Sequence, residues 1–269
     1  MSFEVIRAGK LEYLQSALLR EPGVVHCFST RYGGVSEGHL AALNLGIHRG
    51  DKPENVRENY RILGQAVGFR PEELVFTKQV HSDIVVPVGR SDCGAGLERE
   101  VTQPRDGLMT NEPHVAVIAF SADCTPVLLL DPVRRVVSAV HAGWRGTAAG
   151  IVYRAVEQMR QRYGCQPEDI RAAIGPCIGA CCFETHRDVP DAMVSALGPA
   201  ALPAITPCGE KYQVDLKQLN AIWLRQAGVR QIDICPLCTA CQPERFWSHR
   251  RVGNARGSLA AIIMLQTTP

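Results

Sequence analysis

Three short segments of the 269-residue chain carry side chains suited to bind a soft metal ion. They are Gln79-Val80-His81, Ser121-Ala122-Asp123-Cys124-Thr125-Pro126, and His141-Ala142-Gly143-Trp144-Arg145-Gly146-Thr147. Two imidazoles and one thiolate, from His81, Cys124 and His141, suit zinc and disfavour magnesium or calcium, which prefer oxygen. Three protein ligands leave one position open for water, which is the pattern of a catalytic site. The metal lowers the pKa of that water toward about 7. The spacing matches no compact zinc motif, and a histidine between strands or a free cysteine is commonly a packed residue. The third segment also reads as a strand, a glycine-containing loop and a helix start. There free N–H groups and Arg145 form a candidate anion pocket, although the Gly-Lys-Ser/Thr ending of a Walker loop is absent.

These residues fall at the ends of apolar runs. Val115 to Phe120, Thr125 to Leu130 and Val136 to Val140 read as strands, and Asp131-Pro132 marks a turn. Cys124 lies between two of them and His141 follows the third, so neighbouring strands would bring both to one rim. Leu74 to Val88 contains strand-like sequence, and Ala260 to Leu265 reads as a last strand. Asn55 to Val67 reads as a helix between Pro53 and Gly68. A second helix is expected from an N-cap at Thr147 to Tyr163, where Ile151, Val152, Ala155, Val156 and Met159 keep helical spacing and Gly164 closes it. A third covers Lys217 to Gln226. Arg90 to Pro104 and Gly198 to Gly209 read as loops with apolar sequence on both sides, so one domain over residues 1–269 is expected. Interspersed strands and helices with hairpin-like neighbours indicate an α+β fold.

Composition narrows the function classes. A net charge of +2, no Lys/Arg run and 6% aromatic residues argue against nucleic acid as partner. No stretch approaches the roughly 18 uninterrupted apolar residues of a membrane span. The first residues show no apolar leader core. Eleven cysteines, an odd number in a long chain, fit a reducing compartment, so a cytoplasmic location is expected. Cys177, Cys181 and Cys182 lie in a glycine-proline loop, and Cys235, Cys238 and Cys241 form a CxxCxxC run. A second metal site there would need a fourth ligand, the nearest histidine being His249, and packing or loop thiols are the favoured reading.

Seven segments together resemble one family: FSTRYGGVS (Phe28 to Ser36), LNLG (Leu43 to Gly46), KQVHSDIV, ADCTPVLL, AVHAGWRGTAAGI, AIGPCIGACCFE and FWSHRR. They look like the laccase-domain family, also called multicopper polyphenol oxidases or YfiH-type proteins. The match runs from about residue 25 to the C-terminus, in family order. The resemblance implies metal ligands at His81, Cys124 and His141. It also implies a layered α+β sandwich of mixed sheets flanked by helices, and purine nucleoside phosphorylase activity. The implied substrates are adenosine, inosine and methylthioadenosine with phosphate, and adenosine deamination is implied too. Four-copper oxidation is not expected, because its sites are built largely from His-x-His pairs. The chain has 8 histidines and no such pair. Zinc is the expected metal, with copper the weaker alternative.

Within that reading, Asp123 and Glu184 are candidate proton shuttles for attack of water on C6 of adenine. Arg145, Arg31 and Arg57 are candidate phosphate contacts, and Asp106 is a candidate to orient a ligand histidine. FWSHRR is a candidate to bring an aromatic ring and a base to the pocket. The rival readings are a cysteine hydrolase with Cys124 as nucleophile and His141 or His81 as base, and a non-catalytic module that binds purine nucleosides. A monomer or weak homo-oligomer is expected.

Overall fold

The computed structural model describes residues 3–267. In chain order the strands are β1 (Phe3–Ala8), β2 (Leu11–Ser16), β3 (Val24–Ser29), β4 (Leu74–Val75), β5 (Val85–Pro87), β6 (Gly107–Thr110), β7 (Ala116–Ser121) and β8 (Thr125–Asp131). There follow β9 (Val136–Ala142), β10 (Arg171–Ile174), β11 (Glu184–Thr185), β12 (Ile205–Cys208), β13 (Lys211–Val214), β14 (Gln231–Ile234) and β15 (Leu259–Leu265). The helices are α1 (Pro53–Val67), α2 (Trp144–Ala148), α3 (Ile151–Tyr163), α4 (Asp188–Leu197), α5 (Leu216–Gln226) and α6 (His249–Val252).

Two six-stranded sheets stack face to face, with orders β1-β2-β3-β15-β7-β4 and β14-β10-β8-β9-β6-β5. Most pairings are antiparallel; β4/β7, β5/β6 and β10/β14 are parallel. Side chains alternate along each strand, so β8 sends Leu128 and Leu130 into the core between the sheets. Val127 and Leu129 of the same strand pack on the opposite face, against Ile151, Val156 and Met159 of α3 and Leu224 of α5. The first sheet likewise meets α1 through Val56, Tyr60 and Leu63. The result is a helix–sheet–sheet–helix sandwich, the α+β architecture expected. It explains why β8, β9 and β15 are buried along their whole length: both faces of the central strands are covered.

Local signals set the element ends. Proline opens α1, and Gly68, in the left-handed region at φ 103°, ends it. The Asp215 carboxylate caps α5 by accepting the Gln218 N–H. One expected boundary moves. Thr147 is not an N-cap but lies inside the five-residue α2, and α3 begins only after Gly150. Gly150 has a left-handed φ of 73°, which breaks the helix in two. The loop expected at Gly198 to Gly209 instead holds a 3₁₀ turn over Gly198–Ala204 followed by β12. Strand β12 joins β13 and β11 in a small third sheet.

Candidate metal centre

Strand register brings two of the three candidate ligands together. β8 and β9 run antiparallel with Thr125 opposite Ala142 and Pro126 opposite His141. The start of one strand therefore meets the end of the other, and Cys124 is set beside His141. His81 arrives from the segment linking β4 of the first sheet to β5 of the second. Its Nε2 lies 3.7 Å from the Cys124 sulfur. The His81 and His141 rings sit 5.0 Å apart, edge to face. One ligand atom from each of the three residues lies within 4.8 Å of the others.

Asp106 holds this arrangement. Its buried carboxylate accepts the backbone N–H groups of Val80, His81 and Ser82 at 3.1, 3.0 and 2.8 Å, and the Ser82 hydroxyl at 2.6 Å. One oxygen also meets His141 Nδ1 at 2.8 Å. A single carboxylate thus curls the His81 segment, where His81 itself takes a φ of 63°, and fixes the His141 ring with Nε2 toward Cys124. Burial alone would raise the Asp106 pKa, but the hydrogen bonds from His141 and Ser82 outweigh it and bring it to about 2. Burial would also raise the Cys124 thiol. The field of His141 and hydrogen bonds from both histidines bring it below its usual value, so the thiolate, the ligand form, is favoured. Gly143 leaves room for the centre: a Cβ there would stand 2.4 Å from His81 Cδ2 and 3.3 Å from the Cys124 sulfur.

The donor set fits zinc. Two imidazoles and a thiolate converge, one imidazole is oriented by a carboxylate, and His81 and Cys124 line a cavity of about 250 Å³. Its walls include Trp144, Ile178, Phe183 and Leu216, together with His249, Arg250 and Arg256. Burial, with Arg49 nearby, lowers the Arg256 guanidinium to about 10. Its buried Nε has no hydrogen-bond partner among the described residues.

The other candidate residues are placed less uniformly. Asp123 is on the cavity wall, but its carboxylate accepts from the Thr239 hydroxyl at 2.6 Å, the Ser248 hydroxyl at 3.1 Å and the Arg250 N–H at 2.6 Å. Glu184 is not on that wall. It is exposed and pairs with Lys211 at 2.6 Å, because its strand β11 belongs to the third sheet. Arg145 is exposed with its guanidinium 4.2 Å over the Trp144 ring, and α2 is too short to offer an anion-binding N-terminus. Arg31 donates to the carbonyls of Pro243 and Ala41 and stacks 3.8 Å over Trp247. Arg57, exposed on α1, faces Glu98 at 3.6 Å. None of these three arginines lines the cavity. From FWSHRR, His249 and Arg250 reach the cavity, whereas Trp247 is buried and donates to the Leu43 carbonyl. Arg256 lies outside every segment the sequence singled out, and Trp144 lay unremarked beside Arg145.

Comparison with known proteins identifies the family. The family model described as multi-copper polyphenol oxidoreductase laccase matches residues 25–266. The chain is 37% identical over 246 residues to a protein named purine nucleoside phosphorylase YlmD from Geobacillus stearothermophilus, covering 90% of each. It is 36% identical to one named purine nucleoside phosphorylase YfiH from Escherichia coli, covering 90% of this chain and 94% of that protein. The crystal structure of YlmD from Geobacillus stearothermophilus superposes with a TM-score of 0.91 at 34% identity, over 98% of this chain and 99% of that one. The chain is therefore a YfiH-type member of the multi-copper polyphenol oxidoreductase laccase family.

Proposed function

We propose that the chain is a zinc-dependent purine nucleoside phosphorylase, acting on adenosine, inosine and methylthioadenosine, with adenosine deaminase activity at the same site. The observation that carries this reading is the convergence of His81, Cys124 and His141 on a cavity with aromatic walls and an unsatisfied Arg256 Nε. The names of the relatives support the phosphorylase class. A zinc ion on those three residues, with one position open, would supply Lewis acidity and an activated water.

The chain's own groups divide the remaining work. Trp144 and Phe183, on the cavity wall, give the purine apolar contact. Arg256 receives phosphate, a role that Arg250, whose guanidinium donates to the Cys182 and Glu184 carbonyls, and the positions of Arg145, Arg31 and Arg57 do not favour. In phosphorolysis a phosphate oxygen bonds to ribose C1′ while the C1′–N9 bond breaks and its electron pair leaves with the purine. His249, on the cavity wall, is assigned in this proposal to hold a proton for purine N7. In deamination a water oxygen bonds to C6 and ammonia leaves. Asp123 is the one carboxylate on that wall among the described residues.

The test is chromatography of the products from adenosine with the zinc-loaded protein. Adenine and ribose 1-phosphate, formed only when phosphate is present, are expected, and inosine reports the deaminase branch. The absence of both products would overturn the reading, and tight nucleoside binding without turnover would make the chain a binding module. A second reading rests on a specific observation. Cys124, His141 and Asp106 form a thiol–imidazole–carboxylate series in which the thiolate is favoured, as a cysteine hydrolase requires. Activity that survives complete metal removal would favour the hydrolase.

A further inference from the structure

A second group of ligand atoms converges away from the His81–Cys124–His141 centre. One sulfur each from Cys181, Cys182, Cys238 and Cys241 lies within 4.8 Å of the others. The Cys241 sulfur is 3.5 Å from that of Cys181 and 3.4 Å from that of Cys182. Sulfurs about 2.3 Å from a shared zinc ion stand about 3.8 Å apart in a tetrahedron. A disulfide would hold two of them at about 2.05 Å. The observed spacing is far from that of a disulfide and close to that of ligands around an ion. Packing does not explain the group, because Cys181 and Cys241 are exposed, unlike the buried Cys27, Cys165 and Cys235.

The backbone around the sulfurs is arranged for thiolates. Gly179 N–H donates to the Cys238 sulfur at 3.1 Å. A Cβ on Gly179 would stand 3.2 Å from the Cys181 sulfur and 3.3 Å from Cys238 Cβ, so any larger residue there would push these neighbours back by a few tenths of an ångström. Arg250 donates to the Cys182 carbonyl at 2.8 Å and Arg251 to the Ala240 carbonyl at 2.6 Å. These two cations offset the charge that four thiolates around a divalent ion leave.

We propose that Cys181, Cys182, Cys238 and Cys241 form a closed, structural zinc site, separate from the cavity centre. Each coordinating thiol gives its proton to solvent as the Zn–S bond forms, with no change of oxidation state. Four protein sulfurs leave no open position, so the site does no chemistry itself. It clamps a loop that walls the cavity to a loop that braces the wall from behind. One carries Ile178 and Phe183; the other carries Thr239, whose hydroxyl holds Asp123. The loops already meet through a parallel backbone β-bridge between residues 177 and 238 and the Thr239 N–H to Cys177 carbonyl bond. The zinc locks that junction.

The experiment uses the full chain purified with zinc under reducing conditions. Wild type is expected to hold twice the zinc of His81→Ala/His141→Ala, and that variant to keep one ion per chain. Cobalt loaded into the same variant should give intense sulfur-to-cobalt charge-transfer bands. Adding Cys181→Ser/Cys241→Ser to that variant should remove both the bands and the ion. A further measurement needs no cysteine substitution. In the histidine double variant, Cys181 and Cys241 should resist alkylation until a chelator is added, while exposed Cys208 reacts at once. Alkylation of all three at one rate before chelation overturns the proposal. So does a histidine double variant that holds no metal, or one whose intact mass shows Cys181, Cys182, Cys238 and Cys241 joined in disulfides.

Discussion

The two ligand clusters gather their donors to the same closeness, within 4.8 Å, by different means. At His81, Cys124 and His141 the donors are positioned by protein: the β8/β9 register sets two of them, and Asp106 holds the third and the His141 ring. At Cys181, Cys182, Cys238 and Cys241 no carboxylate among the described residues orients a ligand; two loops supply the sulfurs, and a bound ion would complete the junction. An open site must be rigid without its metal, because one position belongs to substrate or water. A closed site can leave part of its own order to the ion.

The largest effect expected from this contrast follows Cys124→Ala. It should abolish product formation and halve the zinc content while leaving the fold and the alkylation protection of Cys181 and Cys241 unchanged. Loss of that protection would show that the two clusters are one cooperative unit.

Acid separates the clusters from the scaffold. Both should release metal as their ligands protonate, but the scaffold has its own weak point at His26. Burial keeps that ring neutral and lowers its pKa to about 4, against an ordinary value of 6.5. The unfolded chain therefore takes up a proton between those values and the folded chain does not. Stability should be independent of His26 above pH 6.5 and fall by up to about 3 kcal/mol as the pH drops to about 4. Denaturant melts of His26→Gln should show a flatter acid limb than wild type. An unchanged limb would assign acid unfolding to the metal clusters instead.

A smaller change is expected at the open site alone from Asp106→Asn. Removing the carboxylate that orients a metal-ligating histidine costs roughly 10–100-fold in metal affinity or activity. Competition with a fluorescent chelator should therefore resolve two zinc affinities, one weakened and one unchanged. Equal weakening of both would break the distinction.

How far the sequence disclosed this arrangement depends on the kind of contact. The β8 and β9 runs and the helices α1, α3 and α5 are written in local periodicity and were legible within a residue or two, apart from the break at Gly150. Cys124 and His141 were legible as donors at strand ends, whereas His81, expected at one, lies in the loop between β4 and β5; only the family motifs singled out all three. Direction is what charged residue types do not encode. Arg145 turns onto Trp144 and Glu184 onto Lys211, while Arg256, in no recognised motif, points its Nε inward. The four-sulfur cluster was obscured for another reason. The CxxCxxC run suggests one local site, but Cys235 is buried apart from it, and the partners of Cys238 and Cys241 come from a loop some sixty positions earlier. Strands β1 to β3 carried no distinct local signal.

The smallest expected effect lies where the clusters meet. Asp123 precedes Cys124, its backbone carbonyl accepts the Ile178 N–H at 2.9 Å, and its carboxylate accepts from Thr239, Ser248 and Arg250. It therefore ties the open site to the loops of the closed one. Asp123 has a φ of 93°, which asparagine tolerates. In Asp123→Asn the amide oxygen still accepts from Ser248 and Arg250, and the amide nitrogen donates to the Thr239 hydroxyl. What is lost is charge assistance, about 1 kcal/mol of stability. If Asp123 only tethers, kcat should change by a few-fold and the deamination pH profile should keep its shape. If it also carries the proton in deamination, inosine formation should fall by about 10²–10⁴-fold. Phosphorolysis, whose proton is assigned to His249, should then be spared, and that split would move Asp123 from tether to catalytic residue.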